Sequence, residues 1–263
     1  MKNFAFHRPQ SVADALSLLR ADDSAKLLSG GQSLLPVMKL DLAQPSGLVS
    51  LSRITDLKGV RSEGNDLVIG AFTTHDEVAS SAEVKKRIPG LAGLASSIGD
   101  AQIRNRGTIG GSIAHADPSA DYPAGVLALG ATIVTDRRSI AADDFFTGLF
   151  ASALAPDEII TAVRFPVPER SAYGKFPHPA SKYAVVGVFV AKTAGGVRVA
   201  VTGAGSKVFR VPAMESALSA NLSADALNGI KVPAADLRSD STASAEYRAH
   251  LVTVMAQRAV RAL

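Results

Sequence analysis

The residues best suited to chemistry in this chain lie in two glycine-rich segments, Ser29-Gly30-Gly31-Gln32-Ser33-Leu34 and Thr108-Ile109-Gly110-Gly111-Ser112. Adjacent glycines let backbone pass close to a ligand and aim several N–H groups at one point. Ser29, Gln32 and Ser33 add side-chain donors and acceptors around the first pair. Neither segment has the lysine of an ATP-binding P-loop or a Rossmann fingerprint. Two such turns suit an extended, doubly charged group such as the pyrophosphate of a dinucleotide. Taken alone, each is equally a strand-to-helix turn or a solvated loop. Gly203-Ala204-Gly205-Ser206-Lys207 lacks P-loop spacing and reads as a turn from strand to helix. His75, His115 and His178 do not stand at metal-ligand spacing. Arg104 and Arg106 either reach phosphate or face a partner subunit.

The surrounding pattern predicts the elements that hold these segments. Ser11 caps an apolar-periodic helix running to Leu19. A strand over 25–28 enters the first glycine turn, a helix over 34–42 leaves it, and a strand follows at 47–51. The segments 59–61 and 66–70 read as paired strands joined through Ser62-Glu63-Gly64-Asn65. Thr74-His75-Asp76-Glu77 opens a helix with a capping residue and early acids. A second helix runs over 89–98, with Pro89 near its first position. The segment 99–121 is polar and glycine-rich between core-like stretches. Helix 122–129 and strands 131–135 and 159–165 come next. Pro166 to Ser181, rich in Pro and charge, reads as a domain junction. Strands 183–192 and 197–203 form a hairpin through Gly195-Gly196. Helices over 212–220 and 243–263 close the chain. This is an α+β order: a mixed body and then a smaller domain.

Composition narrows the function classes. The 263 residues are 47% hydrophobic and 20% charged, with a formal charge of +4 that is spread rather than gathered. Aromatics are 5% with no Trp, which speaks against a base-stacking surface for nucleic acid. There is no cysteine, so the chain supplies no disulfide, cysteine nucleophile, thiolate zinc site or cysteine-ligated iron–sulfur cluster. The start, from Met1 to His7, lacks the apolar core of a signal peptide, and the apolar stretch 124–134 is too short to span a bilayer. A cytoplasmic protein without a transmembrane segment is expected.

Three stretches, Ser29 to Leu40, Gln102 to Pro123 and Tyr173 to Val188, resemble the FAD-binding medium subunits of the molybdenum hydroxylases. That family includes flavin subunits of carbon monoxide, aldehyde and N-heterocycle dehydrogenases and the flavin domain of xanthine dehydrogenase. The resemblance runs essentially end to end. It implies the two-lobed FAD-binding fold shared with vanillyl-alcohol oxidase, with lobes over 1–56 and 57–170 and a small α+β domain over 171–263. It implies non-covalent FAD between the lobes. Ser29, Gly30, Gly31, Gln32, Ser33 and Leu34, with Thr108, Ile109, Gly110, Gly111 and Ser112, would hold the pyrophosphate and ribityl chain. Asp121 would hydrogen-bond the sugar-like portion, and Ile98 and Ile160 would flank the cofactor. Lys175 would lie near the isoalloxazine ring, where a cation stabilises the reduced form. Leu28, Ala101, Ala114 and Asp117 complete the implied set. No catalytic acid or base and no metal ligand is expected.

The chain departs from the family pattern at Ser29, where Ala is usual, and at Gln32, where His is common; both keep the residue's size or polarity. Position 182 is Lys where Arg or Asp is frequent. The resemblance further implies a large subunit with the molybdenum cofactor and a small subunit with iron–sulfur clusters, in a dimer of heterotrimers. The function it implies is transfer of electrons from those clusters to an external acceptor. A self-contained FAD oxidoreductase and a non-redox phosphate-binding or bridging module stand as alternatives.

Overall fold

The computed structural model describes residues 2–263; Met1, where the expected first lobe begins, lies outside them. Among the described residues, three larger sheets succeed one another along the chain, and a separate two-stranded pair lies within the second unit. The first is parallel and small: β1 (Ala5–His7), α1 (Val12–Ala21), β2 (Lys26–Leu28), α2 (Leu34–Lys39) and β3 (Gly47–Ser50), in strand order β1-β3-β2. The Ser11 side chain accepts from the Asp14 N–H at 3.1 Å and so starts α1. Ala15 and Leu19 of α1 pack with Val49, Leu51, Ile54 and Leu57. Ile159, from far along the chain, joins this core and ties the first sheet to the second.

The second sheet is antiparallel. It takes β4 (Val60–Glu63) and β5 (Asp66–Gly70), then a run of short helices: α3 (His75–Ser80), α4 (Ala82–Arg87), α5 (Pro89–Ser96), α6 (Ala101–Arg104), α7 (Ile109–His115) and α8 (Tyr122–Ala128). β6 (Thr132–Thr135), β7 (Ser139–Ala141), α9 (Ala142–Phe145), the small β8 (Phe146–Gly148) and β9 (Ala151–Ser152) pair, and β10 (Ile160–Pro166) complete it, in order β4-β5-β10-β6-β7. The helix starts follow their capping residues. Thr74 and Glu77 form a reciprocal capping box on α3, Pro89 sits at the first position of α5, and Asp100 and Thr108 cap α6 and α7.

The third sheet is antiparallel: β11 (Arg170–Pro177), β12 (Ala184–Thr193), β13 (Gly196–Thr202) and β14 (Phe209–Arg210), followed by α10 (Pro212–Ala220) and α11 (Ala245–Arg261). β12 is buried on both faces. Val188 and Val190 pack with Leu251, Val252 and Met255 of α11, while Phe189 and Ala191 turn to the core of the second sheet. That alternation is the period of two of a strand, and it fastens the third unit to the second.

Three expectations are corrected here. The second glycine segment is not a turn: Thr108 caps α7, and Gly110 and Gly111 lie in its first turn. The Pro-rich stretch 166–181 is not a bare junction, because it carries the eight residues of β11, with Ser171, Ala172 and Gly174 buried. The helix expected over 34–42 ends at Lys39, beyond which Asp41 takes a left-handed φ of 56°.

Candidate functional site

A cleft of about 1260 Å³ runs between the first and second units and is closed at one end by Ser181, Lys182 and Tyr183 of the third. Ligand pockets for drug-sized molecules run to about 1,000 Å³, so this cleft has room for a larger, extended molecule. One wall is Leu28 to Leu34. The facing wall is Thr108, Gly110, Gly111, Ser112 and Ala114, with Asp117 and Asp121 further along and Ile98 and Ile160 as apolar neighbours.

The two glycine segments touch. The Ser29 and Thr108 hydroxyls hydrogen-bond across at 2.7 Å. A Cβ on Gly30 would run into the Arg106 carbonyl and the Gly107 Cα, and one on Gly110 would stand 2.6 Å from the Ala71 Cβ. Backbone meets backbone there, so the absence of side chains serves the protein's own packing. The segments differ in what they offer a ligand. In the second, Ile109 N–H donates to Thr73, Gly110 to Ala71, Gly111 to the Thr108 hydroxyl and Ser112 to the Thr108 carbonyl. Those four N–H groups are taken, and among the described residues only that of Thr108 in this segment has no protein partner. In the first, among the described residues, the N–H groups of Gly31, Gln32 and Ser33 have no protein partner. Gly31 has a φ of +75°, and the Gln32 amide folds back onto the Gly30 carbonyl. Free N–H groups in such a turn form a concavity suited to an anion.

Asp121 is 5% exposed, yet it lines the cleft. Tyr173 donates to one oxygen at 2.5 Å and the Lys175 ammonium to the other at 2.9 Å. Burial pushes this carboxyl above the ordinary range, against the pull of Lys175. Lys175 itself does not line the cleft. Its ammonium is turned toward Asp121 and the Ser97 carbonyl. Ala101 and Ile109 also lie away from the lining, Ile109 because it is fully buried in the second core.

The cleft includes residues that sequence reasoning passed over. His75, at the first position of α3, is buried against Tyr122, with ring centres 5.3 Å apart. Burial, helped by Arg104, brings its pKa down to about 4, so the ring is neutral near pH 7. Glu158 joins the wall near β10. Its buried carboxylate takes two hydrogen bonds from Arg138, one from the Thr135 hydroxyl and one from the Ala155 N–H, which hold its pKa down to about 2. Lys182 has a left-handed φ of 62°, and Gly99 leaves room for its aliphatic stem. The Thr-x-x-Glu box around His75 was visible in the sequence; the inward turn of its imidazole was not. Among the described residues, no group of three or more His, Cys, Asp or Glu could hold a metal, and no helix is long and apolar enough to cross a membrane.

The site thus joins a glycine turn with free N–H groups to a large cleft that the buried Asp121 also lines. Residues 2–168 match the family model described as the FAD binding domain in molybdopterin dehydrogenase. The chain belongs to the FAD-binding medium subunits of the molybdopterin dehydrogenases. It is 38% identical to the carbon monoxide dehydrogenase medium chain of Hydrogenophaga pseudoflava, over 98% of this chain and 96% of that one. The nicotine 6-hydroxylase medium subunit of Paenarthrobacter nicotinovorans is also 38% identical, over 96% and 94%. Among solved structures, reconstituted CO dehydrogenase from Oligotropha carboxidovorans superposes with a TM-score of 0.90 at 35% identity, over 99% of this chain and 97% of that one. The α+β FAD-binding fold with a C-terminal antiparallel sheet and helix is therefore the medium-subunit fold, and subunits of this family serve multi-subunit molybdenum-containing dehydrogenases.

Proposed function

We propose that this chain is the electron-transfer subunit of a molybdenum-dependent hydroxylase complex and holds FAD non-covalently in the cleft. The observation that carries this reading is the pairing of unclaimed N–H groups at Gly31, Gln32 and Ser33 with a cleft long enough to continue to Asp121. Those residues fit the group: the glycine turn holds the pyrophosphate by N–H donation, Ser33 adds a hydroxyl, and Asp121 accepts from the sugar-like hydroxyls. Thr108, Gly110, Gly111 and Ser112 form the opposing wall, and Ile98 and Ile160 keep water from the ring system. FAD, when bound, supplies redox chemistry that links one-electron and two-electron carriers.

In this reading the lobes are 1–56 and 57–170 and the third domain is 171–263. A large subunit carries the molybdenum cofactor, a small subunit carries iron–sulfur clusters, and the assembly is a dimer of heterotrimers in the cytoplasm. The cysteine-free sequence supports the division of labour, since clusters need thiolate ligands from elsewhere. The substrate is a property of the large subunit. No observation favours a self-contained oxidoreductase or a non-redox module. The test is anaerobic mixing of the assembled complex, and separately of this chain alone with FAD, with candidate substrates of the large subunit. Bleaching of the flavin spectrum in the complex alone is expected. Bleaching in the isolated chain at the same rate would contradict the electron-transfer reading.

A further inference from the structure

β11 sends two side chains against Asp121 from the third unit, behind the lining of the cleft. Tyr173 and Lys175 are two residues apart and so share one face of the strand. They grip the two oxygens of Asp121 separately. Gly187 on β12 stands opposite Lys175 in the register. A Cβ there would fall on the Tyr173 hydroxyl, so glycine at 187 makes the space that this hydroxyl occupies. Burial keeps the Tyr173 phenol protonated, with its pKa raised well above the ordinary value, so it is the donor of that bond.

We infer that Tyr173 is a positioning residue for the cofactor: with Gly187 making room and Lys175 as the second grip, it fixes the Asp121 carboxylate so that its remaining lone pairs face the cleft. The inference rests on the reading that FAD occupies the cleft. A carboxylate oxygen has two acceptor directions, so each grip uses one and leaves one. An ungripped carboxylate in this wall would rotate and would stay protonated over a wider pH range. The third unit would then act on the cofactor without touching it. Lys175, turned away from the cleft, works through Asp121 in the same way.

The groups that face Asp121 bear on its titration. They are Tyr173 and Lys175 from β11, Tyr122 at the start of α8, and Tyr183 from the segment before β12, which also feels Asp117. Removing the Tyr173 hydroxyl takes away a hydrogen bond that favours the ionised form. The carboxyl pKa then rises, and cofactor affinity falls at a higher pH than in the unaltered protein as the solution is acidified.

The experiment compares the unaltered protein, Tyr173→Phe, Gly187→Ala and the double variant, each assembled with its co-purifying subunits. FAD is removed and rebound while its dissociation constant is followed against pH, and thermal unfolding of each apoprotein is recorded. Tyr173→Phe is expected to weaken FAD binding about tenfold, as for loss of one hydrogen bond to a charged group, and to move the acid fall-off to higher pH. Gly187→Ala is expected to weaken it similarly, and the double variant no further than the weaker single one. If Gly187→Ala does not fold, Tyr173→Phe decides alone. A folded Tyr173→Phe protein with an unchanged constant or an unshifted pH profile overturns the inference, even if its melting temperature drops. If the unaltered protein rebinds no FAD, the proposed function itself has failed.

Discussion

At Gly30 and Gly111 the same residue type answers two different demands. A methyl at Gly30 would overlap the Arg106 carbonyl, so the two glycine segments would have to part. Gly30→Ala is expected to cost about 1–3 kcal/mol, as overpacking does, measured by urea unfolding of the apoprotein, and to weaken FAD binding with it. At Gly111 a methyl meets the Thr108 Oγ1 at 2.9 Å and the Ser29 Cβ at 3.5 Å. Alanine's helix preference there offsets the crowding, so Gly111→Ala should stay within about 1 kcal/mol of the unaltered stability. His75 gives a pH prediction. Its folded pKa is about 4 against an ordinary 6.5, so the unfolded chain takes up a proton that the folded chain refuses. Stability from this residue is full above pH 6.5 and is lost as pH falls toward 4, by about 3 kcal/mol in all. Unfolding midpoints of a His75→Gln variant should be flatter than the unaltered protein's over that window. The glycine pairs and Asp121 were legible in the sequence because their types match a family pattern. Which N–H groups stay free was not, since Ala71 and Thr73, which claim two of them, lie well upstream in the chain.

At the scale of elements, caps and turns were the readable part. Ser11, Thr74, Pro89 and the Gly195-Gly196 hairpin all stand where local chemistry puts them. Misreadings arose where tertiary contacts decide. β11 is rich in charge and bounded by prolines, yet it is a strand because β12 pairs along it and α5 and α11 cover it. The polar segment 99–121 carries two short helices because Asp100 and Thr108 cap them and the surrounding core holds them. α11 shows how the third unit is secured. Its Arg248 is buried and donates to the carbonyls of Val185 and Gly203 at 2.6 and 2.9 Å and to Asp240 at 2.7 Å. Arg248→Met would leave two carbonyls unpaired in the interior. A loss of about 3 kcal/mol is expected in denaturant unfolding. A change below about 0.5 kcal/mol would show that the helix is held by its apolar face alone.

Across the whole molecule, a parallel sheet and an antiparallel sheet form the two sides of the cleft, and a third unit closes one end with Lys182 and Tyr183 while gripping Asp121 from behind. The glycine turn with its free N–H groups and the buried carboxylate are thus set at two places along one continuous surface. A chain without cysteine that is built around such a cleft fits the proposed role of one station in a series of carriers, in which the iron–sulfur stations would need thiolates from other polypeptides. The most direct measurement is the flavin content of the purified protein together with the subunits it assembles with, before and after denaturation and filtration. One FAD per copy of this chain, all of it released on unfolding, is the predicted result. Protein that carries no FAD, or flavin that stays attached to the unfolded chain, would contradict it.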